Sequence, residues 1–557
     1  MNLHYLVPFP VWRFKPDAAQ RHKFFPIANR NCTKTHCMRK LKLIVTVLVL
    51  NVFGTTDGNS QIVSKDLDSL VADAMVKFDV AGVAIAVVKD GKVIYKKGFG
   101  VKSIETKQPI DIYTNFAIGS NSKAFTATAL SILAEEGKLS WNDKVKKYIP
   151  EFRMYNDYVT ENFTIQDLLT HRSGLGLGAG DLMIFPNGSD FTIKDIVSGF
   201  QFFEPESAFR TQFDYDNQLY IVAGEVIARI SSMSYEEFVQ KRIMVPLQME
   251  NSFASMKAMK DQNNIASPHT TTTGKIRTIA QFGDLVNNAA GGLFSNAEDM
   301  SEWMLLQLNK GKYGKDLQNQ LFSEESQLEM WKIHTVEDLD PNPRYNSHFR
   351  GYGLGWELTD LKGNLSVSHT GGLPGMLSIV TMIPDLNLGI VILTNTENGG
   401  MGVFSSISQT IIDSYLGLED FGWVDKYNAY FKSQEHSGEE IVRNVWETVK
   451  TANDVSIKTE DYVGIYRDNW FGDVEVFMKG NELWFRSYRS PKLTGQMHYY
   501  KANAFAIKWE YQDMNCDAFA VFSLDEEGIA QSIKMKGISP NIDFSFDFQD
   551  LNLQRVK

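Results

Sequence analysis

Apolar and polar residues alternate along most of the chain in patterns that predict an α+β domain. A helical pattern spans about Lys65 to Phe78. It precedes "GVAIAVVKDGKVIYKKGFG", in which Asp90 and Gly91 join two strand-like runs, as in a β-hairpin. Strand patterns return late, in "GYGLGWEL", "NLSVSHTGG", "MLSIVTMIP" and "LGIVILTN", before a helix near 400 to 416. Because the stretch from about 119 to 340 is mostly helix and loop, we expect an antiparallel sheet flanked by helices, built from both ends of the domain, with a large helical subdomain.

The pattern changes after this domain. A polar stretch near 418 to 440 leads to a helical pattern in Ile441, Val445, Trp446 and Val449. From about 458 the chain holds short alternating strands, "DYVGIYRD", "GDVEVFMKGNELWFRSY", "AFAIKWEY", "AFAVFSL" and "FSFDF", of the kind that close into a barrel. We therefore predict a first domain over 64–416, a linker with a helix over 417–457 and a small all-β, barrel-like domain over 458–557.

An export signal is predicted near the start. From Met38 the sequence runs "MRKLKLIVTVLVLNVFGTTDGNSQ", with a short basic start, an apolar run and then small polar residues, the layout of a secretory signal peptide. We expect residues 1–60 to be a leader, with Met38 as the true start, and the mature protein to be periplasmic or secreted. Cys32, His36 and Cys37 precede Met38, so we expect no zinc site from them. The mature chain would keep Cys516 alone and hold no internal disulfide.

Composition narrows the function. A chain of 557 residues is long enough for two or more domains, and 43% hydrophobic with 22% charged residues is typical of globular proteins. The net charge of −11, with no long basic run outside the leader, makes a nucleic-acid partner unexpected. No stretch of about 20 apolar residues is present, so we expect no membrane span in the mature chain.

The segment "IGSNSKAFTATAL" carries the first candidate chemistry. Ser120 and Lys123 are three residues apart and share one face of the helix that begins there, whereas Ser122 points elsewhere. One interpretation is a serine nucleophile with its base one turn away. The other is an ordinary helix start, in which Ser120 caps the helix and Lys123 lies in solvent.

Two further motifs follow in the chain. In "FDYDN", Tyr215 and Asn217 project on the same side if the loop is extended, although Asn217 would also suit a helix cap. In "SHTGGLPG", His369 and Thr370 lie at a strand end, before glycines that permit close backbone approach to a ligand, although "HTGG" would also suit a tight turn. The order and separation of the three motifs together favour a catalytic site.

That order resembles the serine β-lactamase and penicillin-binding-protein superfamily, most closely the class C-like branch of esterases, D-amino-acid peptidases and related hydrolases. In that family S-x-x-K starts a central helix, Y-x-N lies on a loop of the helical part, and K/H-T-G lies on the sheet edge. The stretches "LLTHRSGL", "AAGGLFSNAEDMSEW" and "GYGLGW" are also similar to this branch. The resemblance covers roughly 64–416 and implies a β-lactamase/transpeptidase-like fold. The tail barrel resembles the lipocalin-like domain appended to many bacterial members.

The resemblance implies roles for named residues. Ser120 would be the nucleophile, and its base would be Lys123 or Tyr215. A lysine in a dry site can lose its proton near neutral pH, and a tyrosine near that cation becomes more acidic. The backbone N–H groups of Ser120 and Gly372 would form the oxyanion hole. Asn217 would bind the substrate's amide or nearby polar atoms.

The sheet edge would complete the substrate-binding site. His369 and Thr370, followed by Gly371, would contact the leaving side of the substrate or a carboxylate. His171, in "LLTHRSGL", is expected to fix a loop, and Asp299 to start a helix. The resemblance implies no metal ion and no organic cofactor.

We therefore predict an exported serine hydrolase that cleaves an amide or ester bond of a small-molecule, peptide or ester substrate through an acyl-enzyme. Two other functions stay open: a true β-lactamase, and a catalytically silent relative that binds a peptide or glycan. Dedicated β-lactamases usually carry lysine at the position of His369, so the histidine favours the esterase and peptidase members. The barrel would roof the active site or mediate oligomers, and a homo-oligomer stays open.

Overall fold

The computed structural model describes residue 62 and residues 64–259, 262–272, 274–283, 286–339, 342–452 and 458–556. The predicted leader lies outside the described residues, together with Met38 and the group of Cys32, His36 and Cys37. In the described part of the chain, no helix combines the length and the apolar character that a membrane span requires.

Helices fill the middle of the first domain and cover its sheet. The helices of the described residues are α1 (Ser64–Lys77), α2 (Ser122–Glu135), α3 (Asp157–Asn162), α4 (Ile193–Gly199), α5 (Gln218–Ser231), α6 (Tyr235–Val239), α7 (Ala297–Leu308), α8 (Glu324–Met330), α9 (Glu397–Tyr415) and α10 (Trp423–Thr451). The strands of this domain are β1 (Gly82–Lys89), β2 (Lys92–Gly100), β3 (Phe116–Ala117), β4 (His269–Thr270), β5 (Arg277–Thr278), β6 (Phe294–Ser295), β7 (Lys312–Tyr313), β8 (Asn319–Gln320), β9 (Thr335–Val336), β10 (Arg350–Tyr352), β11 (Glu357–Leu361), β12 (Asn364–Leu373), β13 (Met376–Ile383) and β14 (Leu388–Thr394).

The main sheet is antiparallel and contains strands from both ends of the first domain, as the sequence predicts. Its order is β2-β1-β14-β13-β12-β11-β10-β9, so the early hairpin lies beside the late strands. Strand β1 pairs with β14 through Ile85 and Ile392, and with β2 across the turn at Asp90 and Gly91. Both turn residues have positive φ, +51° and +74°, as this type of two-residue hairpin requires. The predicted α+β class is confirmed.

The two faces of the sheet enter two different hydrophobic cores. Along β1, Ala84 and Ala86 pack with the helical subdomain, whereas Val83 and Ile85 pack with α1 and α9. Strand β1 is therefore apolar at nearly every position because both of its faces are covered. The central helix α2 is likewise buried without interruption from its first residue to Leu133, since other elements enclose it on all sides.

The C-terminal residues form a closed barrel of eight antiparallel strands, as predicted. These strands are β15 (Gly464–Asp468), β16 (Gly472–Lys479), β17 (Glu482–Ser487), β18 (Thr494–Lys501), β19 (Ala504–Trp509), β20 (Ala518–Leu524), β21 (Ala530–Gly537) and β22 (Leu553–Arg555), with β22 also paired to β15. The strand predicted in "FSFDF" is wrong, because residues 544–548 form an irregular loop that enters a 3₁₀ turn at Phe548–Asp550. This loop contacts the first domain instead of a neighbouring strand.

The segment between the domains is more helical than predicted. Helix α10 begins at Trp423, well before the helical pattern at Ile441, so most of the polar stretch is helix. Trp423, Val424 and Tyr427 form a narrow apolar stripe that packs in the same core as α1 and α9. Such a narrow stripe within a polar segment gives a weak periodic signal, which explains why the pattern missed it.

The barrel packs directly on the helical subdomain. Phe203 contacts Trp470 with ring centroids 4.9 Å apart, and Phe191 contacts Phe471 at 5.7 Å. Side chains of both domains belong to one continuous hydrophobic core. The loop of residues 543–548, called the barrel loop below, extends from this interface toward the motifs that the sequence analysis singled out.

Candidate active site

Ser120 lies in a 3₁₀ turn, Gly119–Asn121, that leads directly into α2. This turn passes very close to β12, since a Cβ on Gly119 would lie 2.4 Å from the Gly372 nitrogen, and one on Gly371 would lie 1.9 Å from the Ile118 oxygen. Gly119 also has a φ of +52°, which favours glycine. The "HTGG" stretch is therefore part of a strand that touches the serine turn, and its interpretation as a tight turn is wrong.

Lys123 follows one turn later and contacts Ser120. Its Nζ lies 3.0 Å from Ser120 Oγ, 2.6 Å from Asn217 Oδ1 and 2.9 Å from the carbonyl oxygen of Ala290. The side chain is fully buried, so the interpretation that placed it in solvent is wrong. Asn217 Oδ1 and the carbonyl oxygen only accept hydrogen bonds, so a neutral amine directs its two N–H groups to them and its lone pair to Ser120. This geometry allows Lys123 to take the Ser120 proton.

The electrostatics of the site favour that neutral amine. Burial lowers the pKa of Lys123 from 10.5 to about 7, against the opposing charges of Asp181 and Asp216. Burial also raises the pKa of Asp181 to about 7. Lys123 and Asp181 therefore titrate together near neutral pH, because desolvation penalises the charged form of each.

Asn217 is held at both ends of its amide. Its Oδ1 accepts from Lys123, and its Nδ2 donates to Asp181 Oδ2 at 2.8 Å. Its side chain does not cap α5. Asn217 thus positions Lys123, and its contact with the substrate's amide stays a prediction. Asp181 was not predicted, because a single acid in "AGDLM" has no spacing that relates it to Ser120.

Tyr215 lies on the other side of Ser120. Its hydroxyl hydrogen-bonds Ser120, and Lys123 Nζ lies 4.7 Å from the centre of its ring. Burial raises the pKa of Tyr215 well above its usual value. The expectation of a more acidic tyrosine is therefore wrong here, because desolvation outweighs the nearby lysine. The raised pKa keeps Tyr215 a phenol at neutral pH and favours Lys123, of the two predicted candidates, as the base.

His171 holds the loop that carries Tyr215, as expected. The two rings stack with centroids 4.2 Å apart. His171 Nδ1 accepts from the N–H of Asp216 at 3.0 Å, and its carbonyl oxygen accepts from the N–H of Asp214 at 2.8 Å. These two bonds fix the backbone on both sides of Tyr215. Burial lowers the pKa of His171 well below its usual value, so the ring is neutral.

His369 is buried beside the same group of rings. Its Nδ1 donates to the carbonyl oxygen of Thr370 at 2.5 Å, so its Nε2 accepts from the hydroxyl of Tyr352 at 2.8 Å. Burial lowers the pKa of His369 to about 3, and the charge of Lys123 adds to this effect. Both ring nitrogens are engaged within the protein, and the contact of His369 with the substrate stays a prediction. Tyr352 comes from the "GYGLGW" stretch, which the sequence analysis noted without assigning it a role.

The remaining predicted residues lie at the mouth of the site. Ser120 is half-buried and, in the first turn of its helix, has no helical partner for its N–H. The Gly372 nitrogen lies against Gly119, the residue before Ser120. The Thr370 side chain is half-exposed. The structure therefore brings the three sequence motifs together, and the oxyanion hole stays a prediction that this arrangement allows.

Two other residues of these stretches have structural contacts. Ser122 Oγ donates to the Gly119 carbonyl oxygen at 2.7 Å and accepts from the N–H of Leu293 at 3.2 Å, so it points away from Lys123, as predicted. Asp299 lies in the first turn of α7, where the side chain of Asn296 accepts from its N–H at 2.9 Å. Asp299 is thus the helix-start residue that the sequence predicts.

The barrel loop forms one wall of the site. Phe544 meets Tyr215 edge-on with ring centroids 5.7 Å apart. Burial raises the pKa of Glu397 to about 8, and the charge of Asp543 in the barrel loop adds to this effect. Glu397 Oε2 accepts from the N–H of Gly375, in the turn after β12, at 2.5 Å. The barrel therefore contributes an aromatic ring and a carboxylate to the neighbourhood of the nucleophile.

Neither a disulfide nor a metal-binding cluster is seen among the described residues. Cys516 is buried in the barrel and forms no disulfide with a described residue. Burial raises the pKa of its thiol well above the usual value. Among the residues that the structure describes, no group of three His, Cys, Asp or Glu side chains is arranged to hold a metal ion.

Comparison with known proteins agrees with the geometry. A family model described as Beta-lactamase matches residues 67–405, more than half of the chain. The chain belongs to the beta-lactamase family. A second model, Domain of unknown function (DUF3471), matches residues 451–555, which include the barrel. Members of this family are typically serine hydrolases, and the fold of this chain is the one that the motifs predict.

Individual relatives are distant from this beta-lactamase family member. Protein flp of Staphylococcus aureus (strain MW2) is 27% identical over 346 residues, which are 62% of this chain and 64% of flp, less than two thirds of its length. The unguisins hydrolase ungD' of Aspergillus campestris is 24% identical over 416 residues, 71% of this chain and 73% of that protein. The structure of the octameric penicillin-binding protein homologue from Pyrococcus abyssi matches 86% of this chain and 99% of its own with a TM-score of 0.56 at 22% identity, a likeness of fold.

Proposed function

We propose that this chain is an exported serine hydrolase that cleaves an amide or ester bond through an acyl-enzyme on Ser120. The observation that carries the proposal is the contact of 3.0 Å between Lys123 Nζ and Ser120 Oγ, in a site where the other two partners of Lys123 are acceptors. A serine hydroxyl attacks poorly unless a base removes its proton. Lys123, with a pKa of about 7, is such a base at neutral pH.

Acylation begins with the neutral amine of Lys123. The lone pair of its Nζ takes the proton from Ser120, and Ser120 Oγ forms a bond to the substrate's carbonyl carbon. The backbone N–H groups of Ser120 and Gly372 stabilise the oxyanion, at roughly 3 kcal/mol per donor. The bond from this carbon to the leaving nitrogen or oxygen then breaks, and the leaving group takes the proton that Lys123 received. Lys123 is neutral again.

Deacylation repeats these steps with water in place of Ser120. Lys123 takes a proton from the water, whose oxygen bonds to the acyl carbon, and the bond to Ser120 Oγ breaks. Ser120 recovers its proton from Lys123, and the product acid leaves. Tyr215, whose pKa is raised by burial, supports both stages as a hydrogen-bond donor in its phenol form.

The charges near the site favour esters and peptides over β-lactam antibiotics as substrates. The carboxylate of a β-lactam is attracted by a cation, and His369, with a pKa of about 3, is neutral at working pH. The nearby acids carry less negative charge at pH 7 than their ordinary pKa values would give, because burial, with a smaller contribution from Asp543, raises the pKa of Asp181 to about 7 and that of Glu397 to about 8. The expected preference therefore rests on the neutral ring of His369.

A substrate panel tests the proposal. The mature chain should hydrolyse a neutral nitrophenyl ester or a D-amino-acid amide, and nitrocefin slowly or not at all, with kcat/KM measured for each. Ser120→Ala should abolish turnover, and the matched control Ser122→Ala should retain it. Nitrocefin hydrolysis with kcat/KM of about 10⁷ M⁻¹s⁻¹ or more would identify a true β-lactamase. A wild-type chain with neither turnover nor a covalent adduct would be a binding protein.

Export and assembly are part of the proposal. The basic start and apolar run after Met38 support a signal peptide over about 38–60 and a periplasmic or secreted location. Expression from Met38 should give a protein processed between about 54 and 61, and an exported protein that retained residues 1–37 would contradict this. The octameric relative makes a homo-oligomer a reasonable proposal, which light scattering on the purified chain would test.

A further inference from the structure

The barrel loop carries a buried carboxylate that reaches the first domain. Asp547 Oδ2 accepts from the backbone N–H of Gly180 at 2.7 Å, and its Oδ1 accepts from the N–H of Leu182 at 2.8 Å. Asp547 is fully buried. Its two oxygens therefore bind the backbone N–H groups on both sides of Asp181, the acid that orients Asn217.

We propose that Asp547 is a positioning residue of the catalytic centre, acting on Lys123 and Ser120 through the turn that carries Asp181. The inference rests on the proposed hydrolase and goes beyond it, because it assigns the C-terminal barrel a part in the active site. Asp547 is separated from Asp181 by more than three hundred residues, so the contact exists only in the folded chain.

Hydrogen bonds, together with the backbone of the turn at Asp181, join Asp547 to Ser120. In the turn that Asp547 binds, Asp181 Oδ2 accepts from Asn217 Nδ2 at 2.8 Å. Asn217 Oδ1 then accepts from Lys123 Nζ at 2.6 Å, and Lys123 contacts Ser120 Oγ at 3.0 Å. Asp181 and Lys123 are fully buried and Asn217 is nearly so. Each group in the series thus depends on its neighbour for orientation.

Asp181 decides which end of the Asn217 amide faces Lys123. In its ionised form Asp181 only accepts hydrogen bonds, so it holds the NH₂ end of Asn217 and leaves the oxygen for Lys123. If the turn moved away from Asn217, the amide would be free to rotate and present its NH₂ group to the lysine. Lys123 would then lose an acceptor for one N–H, and its lone pair would no longer be directed at Ser120.

Other contacts keep the barrel in place without Asp547. Arg489 pairs with Asp190 at 2.7 Å and with Asp195 at 3.0 Å, across the same interface. Trp470 and Phe471 pack on aromatic residues of the helical subdomain. A substitution at Asp547 therefore perturbs the turn at Asp181 more than the docking of the barrel, and Arg489→Gln is a matched control that weakens docking alone.

The test compares variants of the full mature chain with a neutral nitrophenyl ester. Asp547→Asn keeps the shape but turns an NH₂ group toward a backbone N–H, and we expect kcat to fall roughly 10- to 100-fold with a smaller change in KM. Arg489→Gln should stay within threefold of wild type. Asp181→Asn should lower kcat as well, and the double variant Asp181→Asn/Asp547→Asn should be no slower than Asp181→Asn alone, because both act through one series of bonds.

The pH profile separates positioning from loss of structure. Asp181 raises the pKa of Lys123, and the other groups that act on it are Asp216, which also raises it, and the rings of Tyr215 and Tyr220. Asp547 itself faces Asp181 and Asp550. Asp181→Asn should therefore move the acidic limb of kcat/KM to lower pH. Asp547→Asn removes a group that faces Asp181 and disfavours its charged form, so it should move the limb to higher pH, and partial unfolding would produce neither change.

Specific results would overturn the inference. The first is a kcat of Asp547→Asn within threefold of wild type, and the second is an equal loss of kcat in Arg489→Gln. The third is a double variant in which the losses of kcat from the two single variants multiply. If Asp547→Asn does not fold, Asp547→Ser, which keeps one acceptor, takes its place with the same expected loss. Failure of wild-type turnover would instead contradict the proposed hydrolase, so the two failures are distinct.

Discussion

Raising the pH should increase the activity of the proposed hydrolase, because Lys123 loses a proton. With a pKa of about 7, roughly half of these side chains are neutral at pH 7 and about 1% at pH 5. At the ordinary value of 10.5, only about 0.03% would be neutral at pH 7. Burial therefore raises the supply of neutral base at pH 7 by roughly a thousandfold, which corresponds to about 4 to 5 kcal/mol.

The activity should rise with pH because Lys123 has to be neutral to act as the base. Protonated Lys123 cannot accept the Ser120 proton, so kcat/KM should rise about tenfold per pH unit below pH 6.5 and level off above about pH 8. His369, with a pKa of about 3, and Tyr215, with a raised pKa, do not titrate in this range. Asp181 does, so the limb belongs to the Lys123–Asp181 pair.

The assay is kcat/KM for a neutral nitrophenyl ester between pH 5 and 9 at constant ionic strength, corrected for spontaneous hydrolysis. Lys123→Arg is the matched variant, since arginine keeps a cation in place but does not give up its proton. It should lose a factor of roughly 10² to 10⁴ at pH 8. A wild-type profile that is flat or falls between pH 6 and 8, or a Lys123→Arg variant within tenfold of wild type, would refute the reasoning.

Two further predictions concern the sheet edge. Gly371→Ala places a methyl group 1.9 Å from the Ile118 oxygen and should displace the serine turn, which would lower kcat/KM for the ester at least 100-fold. In Gly372→Ala the new methyl group meets only the flexible end of Leu377 at 3.2 Å, so this control should stay within tenfold of wild type. Equal losses of kcat/KM in the two variants would contradict the prediction. His369→Lys should raise the ratio of nitrocefin to neutral-ester kcat/KM by adding a cation, and an unchanged or lower ratio would show that position 369 does not select for substrate charge.

Local patterns predicted those parts of the site that depend on short-range geometry. Ser120 and Lys123 meet because they are three residues apart at a helix start, and "HTGG" approaches them because glycines leave room for two backbones. Strand β1 of the early hairpin and the late strand β14 pair in one sheet, and each carries a continuous apolar run that is buried on both faces. Each of these features is visible in a short stretch of the sequence.

Contacts between distant segments were not predictable in this way. Asp181, Tyr352 and Asp547 act through partners far away in the chain, and nothing in the sequence around them indicates those partners. The alternating phenylalanines of "FSFDF" predicted a strand, but the hydrogen bonds that Asp547 accepts from backbone N–H groups and the packing of Phe544 hold the segment as a loop. The acidity of Tyr215 was misjudged because burial, which a sequence does not display, outweighs the nearby lysine.

Covalent labelling of the nucleophile tests the central claim most directly. The mature chain is treated with a fluorophosphonate probe, and the modified residue is located by peptide mass spectrometry, alongside Ser120→Ala and Ser122→Ala. The account predicts one adduct on Ser120 in the wild type, none in Ser120→Ala, and an unchanged adduct in Ser122→Ala, because Ser120 alone of the two contacts Lys123. An adduct on Ser122, or ester turnover that persists in Ser120→Ala, would contradict it.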